Sequence, residues 1–433
     1  MRRGSRFLAA AALGISTLGP AVAASSDDGF LAPPPPKAAW LVDWGAGLSP
    51  ALVTELAGKG TQILATEASS FWLRMSLPAS GQFYARINDT LVLVPSVGGA
   101  SPTAFSHLWD AQAAYLHLPL REAGVDLFAG RRPYSIGSGL VLAGTGDGAE
   151  LRWVSPLASI DVFAFHTGLL RPDFSTYAIT QWDAANGARR LFAGGSLGVS
   201  QGNGNLSLMG LYQLDGGGDA SQAYDSWYAG LMAGGVFLTG EYSTEFWYQG
   251  GRSPLGQGHT DIGAFAGRVS YTIYLEASGS PSLGILYAIG SGDADRSGAI
   301  GAAGNASGGD RGFQGFGSLT LGSALRPAMG NVQALQLSCS ANPFESGPLW
   351  LRKTSLGLKY HAYWKVERSG VIGQGEATLP EAFVGQGLDL SLRWGPFTDL
   401  SCFASCGAFL PGSAYPAGEP LRWSLSSGLS LSL

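Results

Sequence analysis

The stretch LGLKYHAYWKVE, residues 356–367, alternates strictly between apolar and polar side chains. The apolar set is Leu356, Leu358, Tyr360, Ala362, Trp364 and Val366; the other set is Gly357, Lys359, His361, Tyr363, Lys365 and Glu367. A period of two residues predicts a β-strand with two different faces. Such a strand fits a soluble sheet packed on a core. It also fits the wall of a membrane barrel, with lipid outside and water inside.

The last residues of the chain, LRWSLSSGLSLSL (421–433), favour the membrane barrel. Leu and Trp occupy one face, and the other face is rich in Ser and Gly with a single charge, which suits the wall of a narrow water-filled lumen. The pattern runs to Leu433, as the closing strand of an outer-membrane barrel does. In lipid every backbone polar group must be paired, and closure removes the sheet edges. We expect residues 421–433 also to be recognised by the barrel-assembly machinery, although that signal usually ends in an aromatic residue.

The composition agrees with a barrel. Only 13% of the 433 residues are charged, against about 25% in an average soluble domain. Hydrophobic residues make up 45%, yet after the first two dozen residues no run approaches the roughly 20 apolar residues of a spanning helix. With 65 Gly and 12 Trp, the chain is typical of an all-β transmembrane protein, an antiparallel up-and-down β-barrel.

The N-terminus predicts the compartment. Three Arg precede an apolar run, Phe7 to Leu18, and small residues follow Pro20, which is the pattern of a Sec signal peptide over residues 1–24. Residues 25–39 read as a disordered Pro-rich leader, and 40–433 as the barrel in the outer membrane of a diderm bacterium. Without the signal peptide the chain has 23 basic and 31 acidic residues, so the net charge moves from −5 to −8. This argues against nucleic acid as a partner and leaves outer-membrane lipid and small hydrophilic solutes.

The length of the mature chain predicts about 16–18 strands. A first hairpin is expected around residues 78–81, whereas 49–60 could be a short helix or a strand break. Long Gly/Ser/Asp-rich connections are expected near 213–226, 249–262, 290–315 and 367–386, on the extracellular side. Whether they constrict the lumen stays open. An aromatic girdle is expected from Trp247, Trp350, Trp364, Trp394 and Trp423.

The three cysteines give no metal motif, and no cofactor is expected. Cys402 and Cys406 share one strand face about 13 Å apart, too far for a disulfide, which needs less than about 7 Å. Pairing of Cys339 stays open.

Two stretches resemble outer-membrane porins related to the alginate-export family: VDLFAGRRPYSIGSGLVLAG (125–144) and GQGLDLSLRWGPFTDLSCFASCGAFLPGSAY (385–415). The resemblance implies a barrel that conducts through a constriction of charged side chains. By position, Arg131 matches the motif arginine and Asp389 the acid of the C-terminal hairpin.

Strict alternation assigns Arg131 to the lipid side and Arg132 to the lumen. Either a bulge before Pro133 turns Arg131 inward, or Arg132 is the lumen residue. The candidates for lining the pore or its constriction are Asp126, Arg131, Arg132, Glu241, Glu245, Glu276, Lys359, His361, Lys365, Asp389 and Arg393. Their mixed signs indicate either a transverse field across a small-solute pore or charges that simply pair inside the barrel.

The favoured function is therefore passive diffusion or export of small hydrophilic solutes. The alternatives are a filled structural or adhesin barrel that acts through its loops, and a transporter of hydrophobic substrates. An enzyme is disfavoured because the five His accompany no nucleophile motif such as G-x-S-x-G, and no catalytic residue is assigned. The sequence does not decide the solute or the oligomeric state.

Overall fold

The computed structural model describes residues 41–57, 60–77, 80–94, 104–169, 173, 177–217, 220–256, 258–296, 305, 307–373 and 375–432. Here 18 antiparallel strands form one sheet, and each strand pairs with the next along the chain. The first and last strands also pair, from Gly47–Ser432 to Leu56–Trp423, which closes the sheet into a barrel. The prediction of an up-and-down barrel of 16–18 strands is confirmed. The predicted signal peptide (1–24) and leader (25–39) lie outside the described residues, as does Leu433.

The strands are β1 Val42–Ala57, β2 Gly60–Ser76, β3 Gln82–Val94, β4 Ala104–Leu120, β5 Val125–Ile136, β6 Leu142–Val154, β7 Ala158–His166, β8 Arg190–Gln201, β9 Gly204–Asp215, β10 Asp225–Phe237, β11 Gly240–Leu255, β12 Gly258–Tyr274, β13 Ser282–Gly290, β14 Val332–Ala341, β15 Thr354–Trp364, β16 Phe383–Trp394, β17 Leu400–Pro411 and β18 Arg422–Ser432. Two short helices are α1 Gln181–Asn186 and α2 Leu349–Arg352, and 3-10 turns cover Arg121–Ala123 and Ala220–Gln222. No helix in the described ranges is long and apolar enough to cross a bilayer.

Side-chain alternation places an apolar surface outside. In β15, Leu356, Leu358 and Tyr360 are exposed on the outer surface, whereas His361 and Tyr363 are buried inside the barrel. The three cysteines are free thiols, and Cys339 and Cys406 are exposed. The two-faced strand predicted for 356–367 is thus part of the wall of the barrel, where β15 ends at Trp364.

The longest connections all lie at the same end of the barrel. Both described chain ends lie at one end of the barrel, where turns such as 202–203 and 238–239 are short. At the other end lie the long connections 167–189, 291–331 and 365–382. In outer-membrane barrels short turns face the periplasm and long loops face outward, so these three connections are extracellular.

Three local predictions differ from the structure. Residues 249–262 are not a long loop, because β11 continues to Leu255 and β12 starts at Gly258. Residues 49–57 belong to β1 rather than to a helix or a break. The hairpin around 78–81, which joins β2 and β3, follows an earlier hairpin of β1 and β2 and is not the first. Gly and polar residues in 249–262 occupy strand positions that face other side chains, so composition alone misplaced the turn.

The tryptophans divide between outside and inside. Trp364 and Trp394 end their strands half-exposed, Trp423 lies at the start of β18, and Trp350 is exposed in α2. Trp247, expected in the girdle, is fully buried, and its indole N–H donates to Glu245. It shares the inward parity of Glu245, so its assignment to the girdle is wrong.

The apolar core sits inside the barrel. It contains inward side chains of the wall, such as Phe165, Phe192 and Trp247, together with loop residues such as Phe313 and Phe316. All five side chains are almost fully buried. The extracellular connections therefore fold inward and pack on the wall.

Candidate functional site

The β5–β6 hairpin leaves the barrel wall halfway along its length. The β4–β5 ladder ends at Ala114–Arg131 and the β6–β7 ladder at Asp147–His166, whereas β5 and β6 stay paired up to Ile136–Leu142. Residues 132–146, the constriction hairpin, therefore have no ladder to either wall neighbour. Gly130 lies at the departure point with φ +126°, and a Cβ there would lie 2.3 Å from the Ala114 carbonyl oxygen.

The tip of the constriction hairpin reaches across to β11. The Ser138 N–H lies 3.3 Å from both carboxylate oxygens of Glu245, and the Ser138 hydroxyl also donates to Glu245. The Trp247 indole donates to the same carboxylate at 2.7 Å. Gly137 at the tip has φ +58°, and a Cβ there would lie 2.2 Å from Glu245 Oε1. One buried carboxylate thus holds the hairpin inside the lumen.

Aromatic stacking supports the hairpin from one side. The Tyr134 ring stacks on Phe165 of β7 with centroids 4.3 Å apart, and Phe165 stacks on Phe192 of β8 at 4.9 Å. Gly144 and Gly146 leave room for the rings of Tyr177 and Phe165, which a Cβ would meet at about 2 Å. Small residues in β6 therefore let the hairpin lie flat against the inner wall.

The longest connection spans residues 291–331, and we call it the lumen loop. Its two described segments, 291–296 and 307–331, also enter the barrel. Phe316 forms a parallel bridge with Leu142 of the constriction hairpin, and Asp310 forms one with Ile262 of β12. The Tyr363 hydroxyl of β15 donates to the Leu321 carbonyl oxygen. At its far side Arg326 pairs with Glu55 of β1 at 2.6 Å. The described segments of the lumen loop, residues 291–296 and 307–331, thus run across the interior from β12 to β1.

A buried arginine anchors the β7–β8 connection. Arg190 is fully buried and donates from Nε to the Tyr177 carbonyl oxygen at 2.8 Å. Its Nη2 pairs with Asp183 of α1 and, at 3.3 Å, with Asp215 of β9. Asp183 in turn accepts the N–H of Thr180 at 3.0 Å and closes a capping box on α1. Removal of the arginine, or of its two aspartate partners, would leave an uncompensated buried charge.

Near the periplasmic end, ion pairs line the inner wall of β4 to β7. Asp126 accepts from His117 at 2.7 Å, and Arg132 pairs with Glu150 at 3.0 Å. Arg152 joins the ladder through Glu150 at 2.9 Å and Asp161 at 3.5 Å. The Arg132 guanidinium also lies 4.0 Å above the Phe128 ring. Asp126 and Arg132 thus share the inner face, as expected.

Arg131 lies on the opposite parity, at the point where the hairpin departs. Its Nε donates to the Ala111 carbonyl oxygen of β4 at 2.6 Å, just beyond the end of the β4–β5 ladder. Its Nη1 bonds Asp147 at 2.8 Å, and Nη2 lies 3.8 Å from Asp110. The side chain is 15% exposed. Gly130, three residues before Pro133, makes the backbone irregular here. Arg131 and Arg132 are therefore both paired with carboxylates, and Arg131 does not face lipid.

The three acids predicted to line the inner face around β11 and β12 lie in three different surroundings. Glu245 is buried under the hairpin tip. Glu241 shares its parity but is exposed near the periplasmic end, where it accepts from the Tyr274 hydroxyl at 3.2 Å. Glu276 lies beyond the end of β12 in an exposed turn, so its expected position on an inner strand face is wrong.

The predicted residues of β15 and β16 also separate. His361 and Asp389 form a buried pair at 2.9 Å. Lys359 and Arg393 share their inner face but are exposed. Lys365 lies one residue past β15 and donates to the carbonyl oxygens of Leu379 at 2.7 Å and Arg368 at 3.2 Å. Lys365 therefore fixes a connection and does not line a strand face.

Several groups in the connections have shifted pKa values, among them Lys365, Asp293 and Tyr415. Burial lowers the pKa of Lys365, because the ammonium is removed from water. Burial likewise raises the pKa of Asp293 in the lumen loop, although the Arg311 N–H donates to it at 2.7 Å. Burial also raises the pKa of Tyr415 in the β17–β18 connection, where Glu376 accepts from its hydroxyl.

Four inward basic side chains form no salt bridge with any described residue: Arg86, Arg268, Lys359 and Arg393. Arg86 and Arg268 reach only serine hydroxyls, at 3.5 Å and 3.3 Å. Most inward acids described here are already paired with an arginine or histidine. The surplus of uncompensated charge on the lumen wall is therefore positive.

Sequence reasoning missed the residues that hold the loops: Ser138, Asp147, Asp183, Arg190, Asp310 and Arg326. Only Ser138 had a local signal, since it is the centre of the Gly-Ser-Gly turn, residues 137–139, that follows the double arginine. Asp147 and Arg190 lie in strands, where alternation does not reveal a distant partner, and Asp183, Asp310 and Arg326 lie in connections, whose inward folding no alternation pattern records.

Comparisons with known proteins agree with this architecture. A family model described as alginate export matches residues 213–422, just under half of the chain. The outer membrane protein OprD from Pseudomonas aeruginosa aligns with a TM-score of 0.55 at 12% identity, over 90% of this chain and 94% of that one. OccK11 from the same organism gives 0.53 at 14%, over 90% and 96%. OccAB1 from Acinetobacter baumannii gives 0.56 at 12%, over 90% and 97%. No curated protein matches the chain in sequence.

At such low identity the solved structures establish the fold alone. Together with the closed 18-strand wall and the infolded connections, the matches define an outer-membrane β-barrel of the porin type. The C-terminal half is the part that is similar to the alginate-export model. The expected localisation in the outer membrane is confirmed.

Proposed function

We propose that the chain is a passive outer-membrane channel for small hydrophilic solutes. The observation that carries this proposal is the constriction itself. A closed barrel encloses a hairpin and a loop that are fixed to opposite parts of the wall, by Glu245 on β11 and by Glu55 on β1. Charged groups line the inner wall on the periplasmic side. Solutes would pass through the space that the two segments leave, so these segments would set the size limit.

The uncompensated positive charge supports a preference for small anions. Arg86, Arg268, Lys359 and Arg393 have no ion pair with the described residues, and Lys359 and Arg393 are exposed. A carboxylate passing them would meet donors that need not first release an internal partner. The match to the alginate-export model supports the same preference for anions by analogy, because alginate is a polyanion.

A second candidate is a filled barrel that acts through its loops. The buried aromatic cluster of Tyr134, Phe165, Phe192 and Phe316 favours it, because these side chains fill part of the barrel interior and are almost fully buried there. A transporter of hydrophobic substrates has less support, because the exposed inner groups are charged. An enzymatic role is not proposed.

Recording from the refolded barrel in a planar bilayer separates the two candidates. The channel should give discrete current steps. Its reversal potential in a KCl gradient should be shifted from zero toward the equilibrium potential of chloride. Solutes of increasing size should then define a cutoff in liposome swelling. A correctly folded barrel that gives no steps and no swelling would refute the channel and support the filled barrel.

A further inference from the structure

Three ionisable side chains, Glu67, Asp89 and His107, lie on the lipid side of β2 to β4. Glu67 is exposed on β2, on the parity of the exposed Phe71. Asp89 of β3 alternates with the exposed Ile87 and pairs with His107 of β4. We call this region the β2–β4 outer face: Glu67, Asp89, Phe105, His107 and Trp109.

The two acids lie at the depth of the hydrocarbon. Glu67 is nine residues from the periplasmic end of β2 at Ser76, and Asp89 is seven from the end of β3 at Gln82. In a strand tilted by about 40°, each residue rises about 2.5 Å, which puts both acids about 20 Å above the periplasmic rim. The outward apolar band of such barrels is about 25 Å tall, so both carboxylates fall within it.

The outer face of β8 and β9, which we call the far wall, has no charged side chain at its described positions. Its outward residues are Leu, Val, Ala, Gly and Tyr, with Gln201 at the periplasmic end of β8; Leu197, Val199, Leu206 and Leu208 are each more than half exposed. Hydrocarbon offers a carboxylate no hydrogen-bond donor. The β2–β4 outer face is therefore built for a neighbour other than lipid tails.

We propose that the β2–β4 outer face binds a second copy of this chain. Barrels inserted in the same orientation are related by an axis along the membrane normal, so a copy places its polar groups at the same depth. The face carries both signs, since Glu67 and Asp89 are acids and His107 is a base, and it can therefore complement itself. A lipid headgroup lies at the membrane boundary, about 7 Å above Asp89 by the same estimate, whereas a second copy presents its polar groups at the depth of Asp89 itself.

The apolar surface of the face fits the same partner. Trp109 is 61% and Phe105 64% exposed, so both rings protrude. Beside them lies an outward concavity of about 650 Å³, lined by Leu52, Leu91 and Leu93 among others. A protruding ring of one copy can therefore enter the concavity of the other copy.

Photocrosslinking tests the proposal in native-like membranes. Benzoylphenylalanine replaces Trp109 on the face or, as a matched control, the exposed Tyr212 on the far wall. The Trp109 variant should give crosslinks between two copies, and the Tyr212 variant should give few. Native mass spectrometry of wild-type protein in nanodiscs should show more than one chain per particle.

The double variant Glu67→Leu/Asp89→Leu provides the second measurement. It removes both acids from the membrane depth, so the barrel should still fold and show its heat-dependent shift in gel mobility, while crosslinking at Trp109 should fall at least tenfold. Single-chain particles, with or without bound lipid, or equal crosslinking at Trp109 and Tyr212, would overturn the proposal. None of these readouts depends on conduction.

Discussion

Glu245 illustrates how a single residue decides what the lumen is. It is separated by 107 positions from Ser138, yet its carboxylate accepts from that residue's backbone and hydroxyl and from the Trp247 indole. A buried carboxylate keeps its charge only when donors replace its lost water. The constriction hairpin supplies those donors, so the charge and the hairpin hold each other in place.

We expect Glu245→Gln to loosen the constriction hairpin. The amide weakens charge-assisted hydrogen bonds, each worth about 1.5–3 kcal/mol, while its volume stays nearly the same. Single-channel recording should show greater open-channel noise and more frequent closures than in the wild type. The matched control is Glu241→Gln on the same strand, because that side chain is exposed and far from the tip. Equal noise in both variants would mean that Glu245 does not hold the hairpin.

Arg190 gives a prediction for stability. Arg190→Met leaves Asp183 and Asp215 without their cation, and breaking a buried pair in this way costs about 3–5 kcal/mol. We expect the β7–β8 connection to become sensitive to protease in the folded barrel. Arg189→Met, at an exposed neighbouring position, should have no effect. Protection equal to wild type in Arg190→Met would show that the aromatic packing alone suffices.

Asp293 makes the lumen loop sensitive to pH. Burial raises its pKa above the ordinary value of 3.8, so the folded loop binds a proton more readily than the unfolded loop. Between these two pKa values the folded loop therefore gains stability as the pH falls. Asp295, Arg296 and Asp310 lie around the same turn.

Hydrogen exchange of the lumen loop at pH 4 to 7 measures this effect. The wild type should become more protected on acidification, and Asp293→Asn should lose that part of the pH dependence. Because the side-chain oxygen of the introduced asparagine can still accept the Arg311 N–H, the variant should stay folded. An unchanged pH dependence in Asp293→Asn would assign the effect to another group.

At the scale of elements, the wall could be predicted and the lumen contents could not. The alternation in 356–364 and 422–432 is local, since each side chain needs only to face lipid or the interior, and both segments are strands. The infolded position of 291–331 depends on Phe316, Asp310 and Arg326 meeting three distant strands. Nothing in the spacing of these residues encodes such contacts. The same reason explains Trp247, whose aromatic side chain has a buried acid and not the membrane boundary as its neighbour.

Shortening the lumen loop tests its role as a constriction. The N–H groups of Phe313 and Asn331 both donate to the Ser291 carbonyl oxygen, so the two positions lie close together. Two glycines in place of residues 315–329 should therefore join them without strain on the wall. We expect conductance to rise severalfold and the solute cutoff to increase. Arg326→Gln, which removes the ion pair to Glu55 and the hydrogen bond from Nε to the Ser323 carbonyl oxygen but keeps the loop at full length, should change conductance much less.

Across the whole molecule, the location and the pairing of each charged side chain decide whether a solute can meet it. Of the predicted lumen residues, Asp126, Arg132, Glu245, His361 and Asp389 lie inside and are paired there, which alternation alone could not tell from exposed charges. Lys359 and Arg393 lie inside and are exposed, whereas Glu276 and Lys365 lie outside the strands. Parity thus predicts the side of the wall, and only tertiary contacts decide which charges a solute meets.

The ion selectivity of the barrel should depend on the basic side chains of the inner wall that form no salt bridge with a described residue. Lys359→Glu together with Arg268→Glu changes the local charge by four units on the inner wall, within about 10 Å of a passing ion, where salt screens least. We expect the reversal potential in a KCl gradient to move away from the equilibrium potential of chloride and toward that of potassium. Arg189→Glu, at an exposed position in the extracellular connection, changes the net charge by two units away from the inner wall and should shift the potential far less. If the double variant left the potential unchanged, ions would not pass these residues, and the path would have to lie elsewhere in the barrel.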